Sequence, residues 1–375
     1  MSVTHIPEKI KIILWGKAAG RCQYKGCNEI LFRDSTTQAE FNQSYIAHII
    51  ADSPNGPRGH ATLSEELKND ISNLMLLCDV HHRLIDKGDV DGHPTERLEK
   101  MKKDHEARIE LQTDVHEDME SYIVLYGANI GGHTSPLNIK EARTAILPHR
   151  YSTPHPIEIG FKNSAAQDDS EQYWQQEIQN LNVLYNNKVK NLIDSGHIKH
   201  LSVFALAPQP LLIELGRLLG DINKVTTHQR RREPSTWQWS MEDYSADYQI
   251  SKPSKNHKIV ALNLSLSATI SDERIINTLG EEISIWKISL EAPHNDFLHS
   301  PSQLSHFRLT MRKLMNEIKL SHGQDTELNI FPAVPASVAI ECGRVWMPKA
   351  DMPLHIYEQN TKRDGFFKAH TIRNA

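Results

Sequence analysis

The sequence predicts a chain of two domains, a small metal-stapled α+β domain at the N-terminus and a larger α/β domain with a mainly parallel sheet behind it. Three observations carry this expectation. At 375 residues the chain exceeds what one hydrophobic core organises. Three of its four cysteines, Cys22, Cys27 and Cys78, crowd into the first eighty residues beside histidines, too few for a disulfide framework and placed as metal ligands are. From residue 200 onward, β-rich runs (LSVFALA, KIVALNLSLSA, EISIWKISL, ELNIFPAV) alternate with helical ones (PLLIELGRLLG, SVAIECGRV), the pattern of parallel strands joined by crossover helices.

In chain order, Cys22 and Cys27 are separated by four residues that include Gly26, a spacing at which a tight turn presents two thiolates to one ion. Cys78 and His81 add a second pair, and together the four make the three-sulfur, one-nitrogen set of a closed structural Zn2+ site. Buried thiols beside a stray histidine are the alternative. The segment PTERLEKMKKDHEARIEL spaces Leu98, Met101, His105 and Ile109 as an amphipathic helix would, closing a first domain over residues 1–113. Residues 114–160 read as a structured connector, with strand-like SYIVLYGANI, a Gly131-Gly132 turn and a proline-broken stretch. Residues 161–375 form the larger domain, and it carries a weak repeat. FALAPQPLLIELGR from Phe204 aligns without gaps on FPAVPASVAIECGR from Phe331, matching Pro208 with Pro335, Glu214 with Glu341, Gly216 with Gly343 and Arg217 with Arg344. Each copy reads strand, proline turn, helix, so two related half-domains around a pseudo-symmetric pocket are expected.

Bulk properties narrow the function classes. A hydrophobic fraction of 39% with 24% charged residues is ordinary for globular protein, and no apolar run is long enough to span a bilayer. The start, MSVTHIPEKIKIILWGK, is broken by Pro7, Glu8 and lysines and lacks a small-residue cleavage site, which points to the cytoplasm and no membrane. A net charge of -5 argues against coating nucleic acid by bulk attraction and leaves room for a local basic patch.

Around the cysteine knuckle stand His48 in YIAHII, Asn73 in ISNLMLLC and His82 in CDVHHRLID. This ordered set resembles the HNH endonuclease family over roughly residues 20 to 90. The resemblance implies a ββα-metal fold and a metal-dependent cut of double-stranded DNA. His48 would deprotonate the attacking water, since its ordinary pKa lies near working pH. Asn73 would orient the imidazole and His82 would bind a catalytic divalent ion, Mg2+ first, with Mn2+ or Ni2+ as options. Structural alternatives are a satisfied strand histidine, a turn cap and a surface residue respectively. Many members carry an aspartate just before the base, where this chain has Ala47. Asp86, four residues after His82, is the candidate replacement ligand, unless it is a solvated helical acid. Arg58 and the lysines of KMKKDHEAR could meet phosphates, or form an ordinary solvated face.

An HNH unit followed by NIFPAVPASVAIECGRVWMPKADMP is similar to the HNH-SAVED effectors of cyclic-oligonucleotide-based anti-phage signalling (CBASS). SAVED domains resemble two fused CARF-like units, in keeping with the repeat. The resemblance implies a cyclic di- or trinucleotide activator and a homo-oligomer on activation. Physically, helix N-termini beyond strand ends offer N–H groups to phosphate, which points to the turns holding Gln209 and Ser337. Arg232, with Trp237 and Trp239, offers charge and flat faces for a nucleotide clamp, and Lys349 is a further candidate. An amphipathic strand with its tryptophans in the core is the alternative there. Two rivals to the whole reading remain: a ligand-independent HNH restriction or repair nuclease, and a zinc-dependent DNA-binding regulator without catalysis.

Overall fold

A computed structural model describes residues 4–130, 137–160, 168, 170–360 and 365–373. They divide into two units, Met1–His116 and Glu117–Ala375. The Gly131-Gly132 turn lies outside the described residues.

In the first unit, α1 (Glu8–Ala18) ends where Ala19 turns left-handed at φ 50°. A two-residue left-handed step through Gly20 then delivers the chain to Cys22. The strand β1 (Tyr45–His48) pairs antiparallel with β2 (Leu74–Leu77), Tyr45 opposite Leu77 and His48 opposite Leu74. Between them lies the short α2 (Leu63–Leu67). Every residue of β2 is buried, as a continuous apolar run requires. It leads straight into α3 (Asp79–Arg83), a π turn over Leu84–Gly88, and α4 (Thr95–Thr113). Leu98, Met101 and His105 form the buried stripe of α4, as their spacing predicts. They close a core with Leu14, Leu31, Ala47, Ile49 and Ile85.

The second unit opens with β3 (Glu120–Gly127), α5 (Ile139–Ala145), β4 (Tyr151–Ser152) and β5 (Ile157–Ile159). Then come α6 (Glu171–Tyr185), α7 (Asn191–Asp194), β6 (Leu201–Leu206), α8 (Gln209–Leu219) and β7 (Val225–His228). These strands build one parallel sheet in the order β4-β3-β6-β7, with β5 also on β3. The stretch expected as a connector is therefore part of this unit. Its strand β3 lies at the centre of the sheet, with Val124 and Tyr126 in the core.

A second sheet follows from β8 (Gln249–Ser251), β9 (Ile259–Ser265), α9 (Asp272–Leu279), β10 (Ile283–Ser289), α10 (Pro301–His322), β11 (Leu328–Ala333), α11 (Ala336–Val345), β12 (Leu354–Asn360) and β13 (Gly365–Ile372). Its order is β13-β12-β11-β9-β10-β8, parallel in the middle and antiparallel at both edges. The repeat seen in the sequence is thus a repeat of structure. β6 lies between β3 and β7, and β11 lies between β9 and β12 in the same sense.

The two copies meet through α8 and α11, and the matched glycines explain how closely. A Cβ on Gly216 would fall 1.9 Å from the carbonyl oxygen of Ile340, and one on Gly343 would fall 1.9 Å from that of Ile213. Ile213 and Ile340 are themselves equivalent in the alignment, so the crossing is pseudo-twofold. Glu214 holds Arg217 at 2.6 Å and Glu341 holds Arg344 at 2.9 Å, each pair with a buried carboxylate. Among the described residues no helix is long and apolar enough to cross a membrane.

Candidate functional site

The first candidate centre is the cysteine knuckle. A turn closed by Cys27 N donating to Tyr24 O at 3.0 Å, with Gly26 at φ 87°, brings Cys27 back towards Cys22. Cys78 caps α3 and His81 sits on its first turn. The ligand atoms of Cys22, Cys27, Cys78 and His81 all lie within 4.8 Å of one another. His81 Nδ1 is 3.0 Å from Cys78 Sγ and 3.7 Å from Cys22 Sγ. In a tetrahedral zinc site, bond lengths of about 2.0–2.3 Å put ligand atoms roughly 3.5–3.8 Å apart, so number, chemistry and spread fit that ion. Burial pushes the Cys22 and Cys78 thiols up, the opposite of what a coordinated thiolate shows, and a bound cation would invert that preference. Tyr24 stacks on His81 at 4.0 Å and bonds His93 at 2.9 Å, fixing the imidazole plane.

Beside the knuckle, β1 positions His48 at its last residue, where the ring is 6% exposed. Its Nε2 lies 2.9 Å from the Lys68 carbonyl. A carbonyl only accepts, so Nε2 is the donor, which leaves Nδ1 as the ring nitrogen that can accept a proton. Asn73 is not the partner that orients it. Asn73 Oδ1 accepts from Ile50 N at 2.7 Å, and Nδ2 donates to Ile50 O at 2.9 Å and Leu67 O at 3.2 Å. It pins the backbone two residues beyond His48.

His82 stacks on Tyr45 at 4.9 Å and sets its Nε2 3.3 Å from Asp86 Oδ2. Burial lowers its pKa, with Asp86 pulling the other way. Asp86 is no solvated helical acid. Its Oδ1 accepts from Arg58 Nη2 at 2.9 Å. Arg58, a candidate for phosphates or for an ordinary solvated face, takes neither role: its side chain is 7% exposed. It donates to Ile49 O at 2.6 Å and Ile85 O at 2.7 Å. Lys102 of the basic helix is likewise buried against Glu106. Ala47 faces the core at 1% exposure, so this chain places no carboxylate there.

In the larger unit the clamp is redrawn. Trp237 is 2% exposed and packs edge-on against Phe204, so it is a core residue with no face for a base. Its only cation is Arg230, 5.8 Å above the ring among the described residues, and Arg230 is paired with Glu141. Arg232 is exposed, with its backbone N on Asp296. Trp239 is half-buried and leaves its indole Nε1 without a partner.

The helix N-termini are not open to phosphate. Ser337 is fully buried, and its N and Oγ both donate to Gln229 Oε1, at 3.1 and 2.9 Å. Gln209 N is taken by the carboxylate of Glu358, whose own pKa burial raises to about 7. Each repeat helix is thus capped from the other half, α11 by a residue after β7 and α8 by one on β12. Lys349 lies beyond the far end of α11, about 15 Å of helix from Ser337. It is on the wrong side for a site at the strand ends. Sequence reasoning missed Gln229, His228 and His299, because no local pattern shows that a strand end faces another half's helix.

The family model for the SMODS-associated and fused to various effectors sensor domain, SAVED, matches residues 182–372. No curated protein matches the chain. Among solved structures, the Acinetobacter baumannii Cap4 SAVED/CARF-domain containing receptor is similar at a TM-score of 0.42 and 10% identity, covering 84% of this chain and 60% of that one. The same receptor with the cyclic trinucleotide 2'3'3'-cAAA gives 0.42 and 11%, covering 74% and 55%. With 3'3'3'-cAAA it gives 0.40 and 10%, covering 75% and 58%. The matched stretch holds both α8 and α11 with their glycine crossing, and it takes in half of the chain: the protein belongs to the SAVED family.

Proposed function

We propose that this chain is an anti-phage effector of the CBASS type, in which a cyclic di- or trinucleotide on the SAVED unit switches on double-stranded DNA cleavage by the first unit. One observation carries the reading: a SAVED sensor shares the chain with a unit that gathers a Cys3His cluster and holds a histidine by its Nε2 at a strand end, beside a His82–Asp86 donor pair. His48 Nδ1 takes the proton of a water, which attacks the scissile phosphorus as the bond to the leaving oxygen breaks. The Lys68 carbonyl holds the base, with Asn73 fixing the backbone at Ile50 beyond it; Arg58 holds Asp86 towards His82. His82 and Asp86 would hold Mg2+ together with water and phosphate oxygens, and the bound ion would supply Lewis-acid polarisation. Zn2+ on Cys22, Cys27, Cys78 and His81 would be structural.

The test is plasmid DNA with Mg2+ and purified chain, with and without a panel of cyclic oligonucleotides. Stimulated cutting that His48→Ala abolishes supports the proposal, and cutting at one rate throughout supports a ligand-independent nuclease. Ala47 and the engagement of Asp86 by Arg58 favour a second reading, a zinc-stapled DNA-binding unit without catalysis. Binding to DNA without cutting under every condition would establish that one.

A further inference from the structure

Buried polar atoms without a partner mark where a protein is incomplete by itself, because desolvating them costs free energy that no protein bond offsets. Among the described residues four such atoms fall on two neighbouring loops of the SAVED unit: His228 Nδ1 at the end of β7, Arg231 Nε and Trp239 Nε1 just after it, and His299 Nδ1 before α10. Named contacts bring them together. Ser240 N donates to His299 O at 2.9 Å, and the rings of His228 and Trp239 lie 6.4 Å apart. The charge of Arg231 acts on the His299 ring. His228 is 4% exposed while the other three residues are half-buried, with the four unpartnered atoms themselves turned away from solvent, so a ligand reaches them by displacing the loop side chains over them.

The atoms ask for particular chemistry. Indole Nε1–H and guanidinium Nε–H can only donate. The His228 ring donates its other nitrogen to the Trp237 carbonyl, and burial lowers its pKa to about 4, so at neutral pH Nδ1 is an acceptor. Phe204, stacked on it at 4.3 Å, fixes the ring plane. A ligand must therefore bring acceptors for Trp239 and Arg231 and a donor for His228. A fully ionised inorganic anion such as sulfate has no donor, and an uncharged amide has no charge for Arg231. A nucleobase edge carries an acceptor beside an N–H donor, and the phosphodiester next to it carries charge.

We propose that Trp239 and His228 read a base edge while Arg231 holds the adjoining phosphodiester, with His299 closing the subsite; this rests on the sensor reading above. The test is isothermal titration of the full chain with cyclic di-AMP, cyclic GMP-AMP and cyclic tri-AMP, followed by variants on the probe that binds. Trp239→Phe keeps the ring and removes the N–H, and should weaken binding by about tenfold, the loss of one buried hydrogen bond. Arg231→Gln should weaken it and flatten its salt dependence, whereas Lys349→Ala should change nothing. In the unmodified chain, the indole 1H–15N resonance of Trp239 should move downfield on binding, a readout that does not depend on a variant folding. Unchanged affinity in both variants with a stationary Trp239 resonance would overturn the subsite, and is what ordered water on these atoms would produce. If no probe binds the wild-type chain, the sensor reading itself fails and the subsite with it.

Discussion

The proposed base rests on one hydrogen bond, between His48 Nε2 and the Lys68 carbonyl, which leaves Nδ1 as the ring nitrogen that can accept a proton. His48→Ala should cost about a hundredfold or more in cleavage rate and leave zinc content unchanged, read by plasmid assay and metal analysis on one sample. A second histidine sets a pH limit on the SAVED unit. His200 lies buried between Ser121 Oγ at 2.9 Å and Thr226 Oγ1 at 3.1 Å. Burial, with the nearby Arg150 and other cations, lowers its pKa to about 3. The unfolded chain therefore takes up this proton first. Stability from the neutral ring is complete above about pH 6.5 and is lost towards pH 3, at roughly 1.4 kcal/mol per pH unit within that window. Urea unfolding at pH 7 and pH 5 should show a smaller drop for His200→Gln than for the wild type; equal drops would refute the assignment. At this scale the Cys/His cluster was legible from the sequence, because three cysteines and a histidine spaced as metal ligands are would be drawn to one point. Trp237 was not, since an aromatic beside arginines looks the same whether it faces core or solvent.

Helix crossings make a sharper claim, because glycine acts one way in α1 and the opposite way in α8 and α11. Gly16 in α1 has nothing within 4 Å of an added Cβ, so Gly16→Ala should stabilise by about 1 kcal/mol through helix propensity alone. Gly216→Ala and Gly343→Ala drive a methyl into a carbonyl oxygen of the partner helix and should each destabilise by about 3 kcal/mol. Thermal or chemical unfolding of the three variants checks the signs, and a stabilising Gly216→Ala would contradict the close crossing. The proposed zinc site belongs here too: Cys78→Ser should release zinc and lower the unfolding midpoint of the first unit. An unchanged zinc content would rule out this tetrad. The repeat was readable because close helix approach dictates glycine at the contact, with Glu214, Arg217 and their counterparts beside it. The place of β3 was not readable. Its partner β6 lies some eighty residues on, with Tyr122 opposite Leu201, and a strand gives no local sign of a distant pairing.

In the whole molecule, a SAVED unit shares one chain with the unit proposed to cut DNA. A ligand can switch activity only if it binds one state more tightly than another, and a tenfold preference corresponds to about 1.4 kcal/mol. The proposed differential state is an association of subunits. Sedimentation of the chain should then show larger particles as the cyclic oligonucleotide is added, over the concentration range in which cutting rises. Activation at constant size would replace assembly by release of the nuclease unit within one chain. The most direct test of the central claim is the rate of plasmid cleavage by the full chain with Mg2+, measured across a panel of cyclic di- and trinucleotides. The account predicts negligible cutting without ligand and a large rise with one member of the panel, lost in His48→Ala. Cutting at the same rate with and without every member, or none under any condition while the ligand still binds, would contradict it.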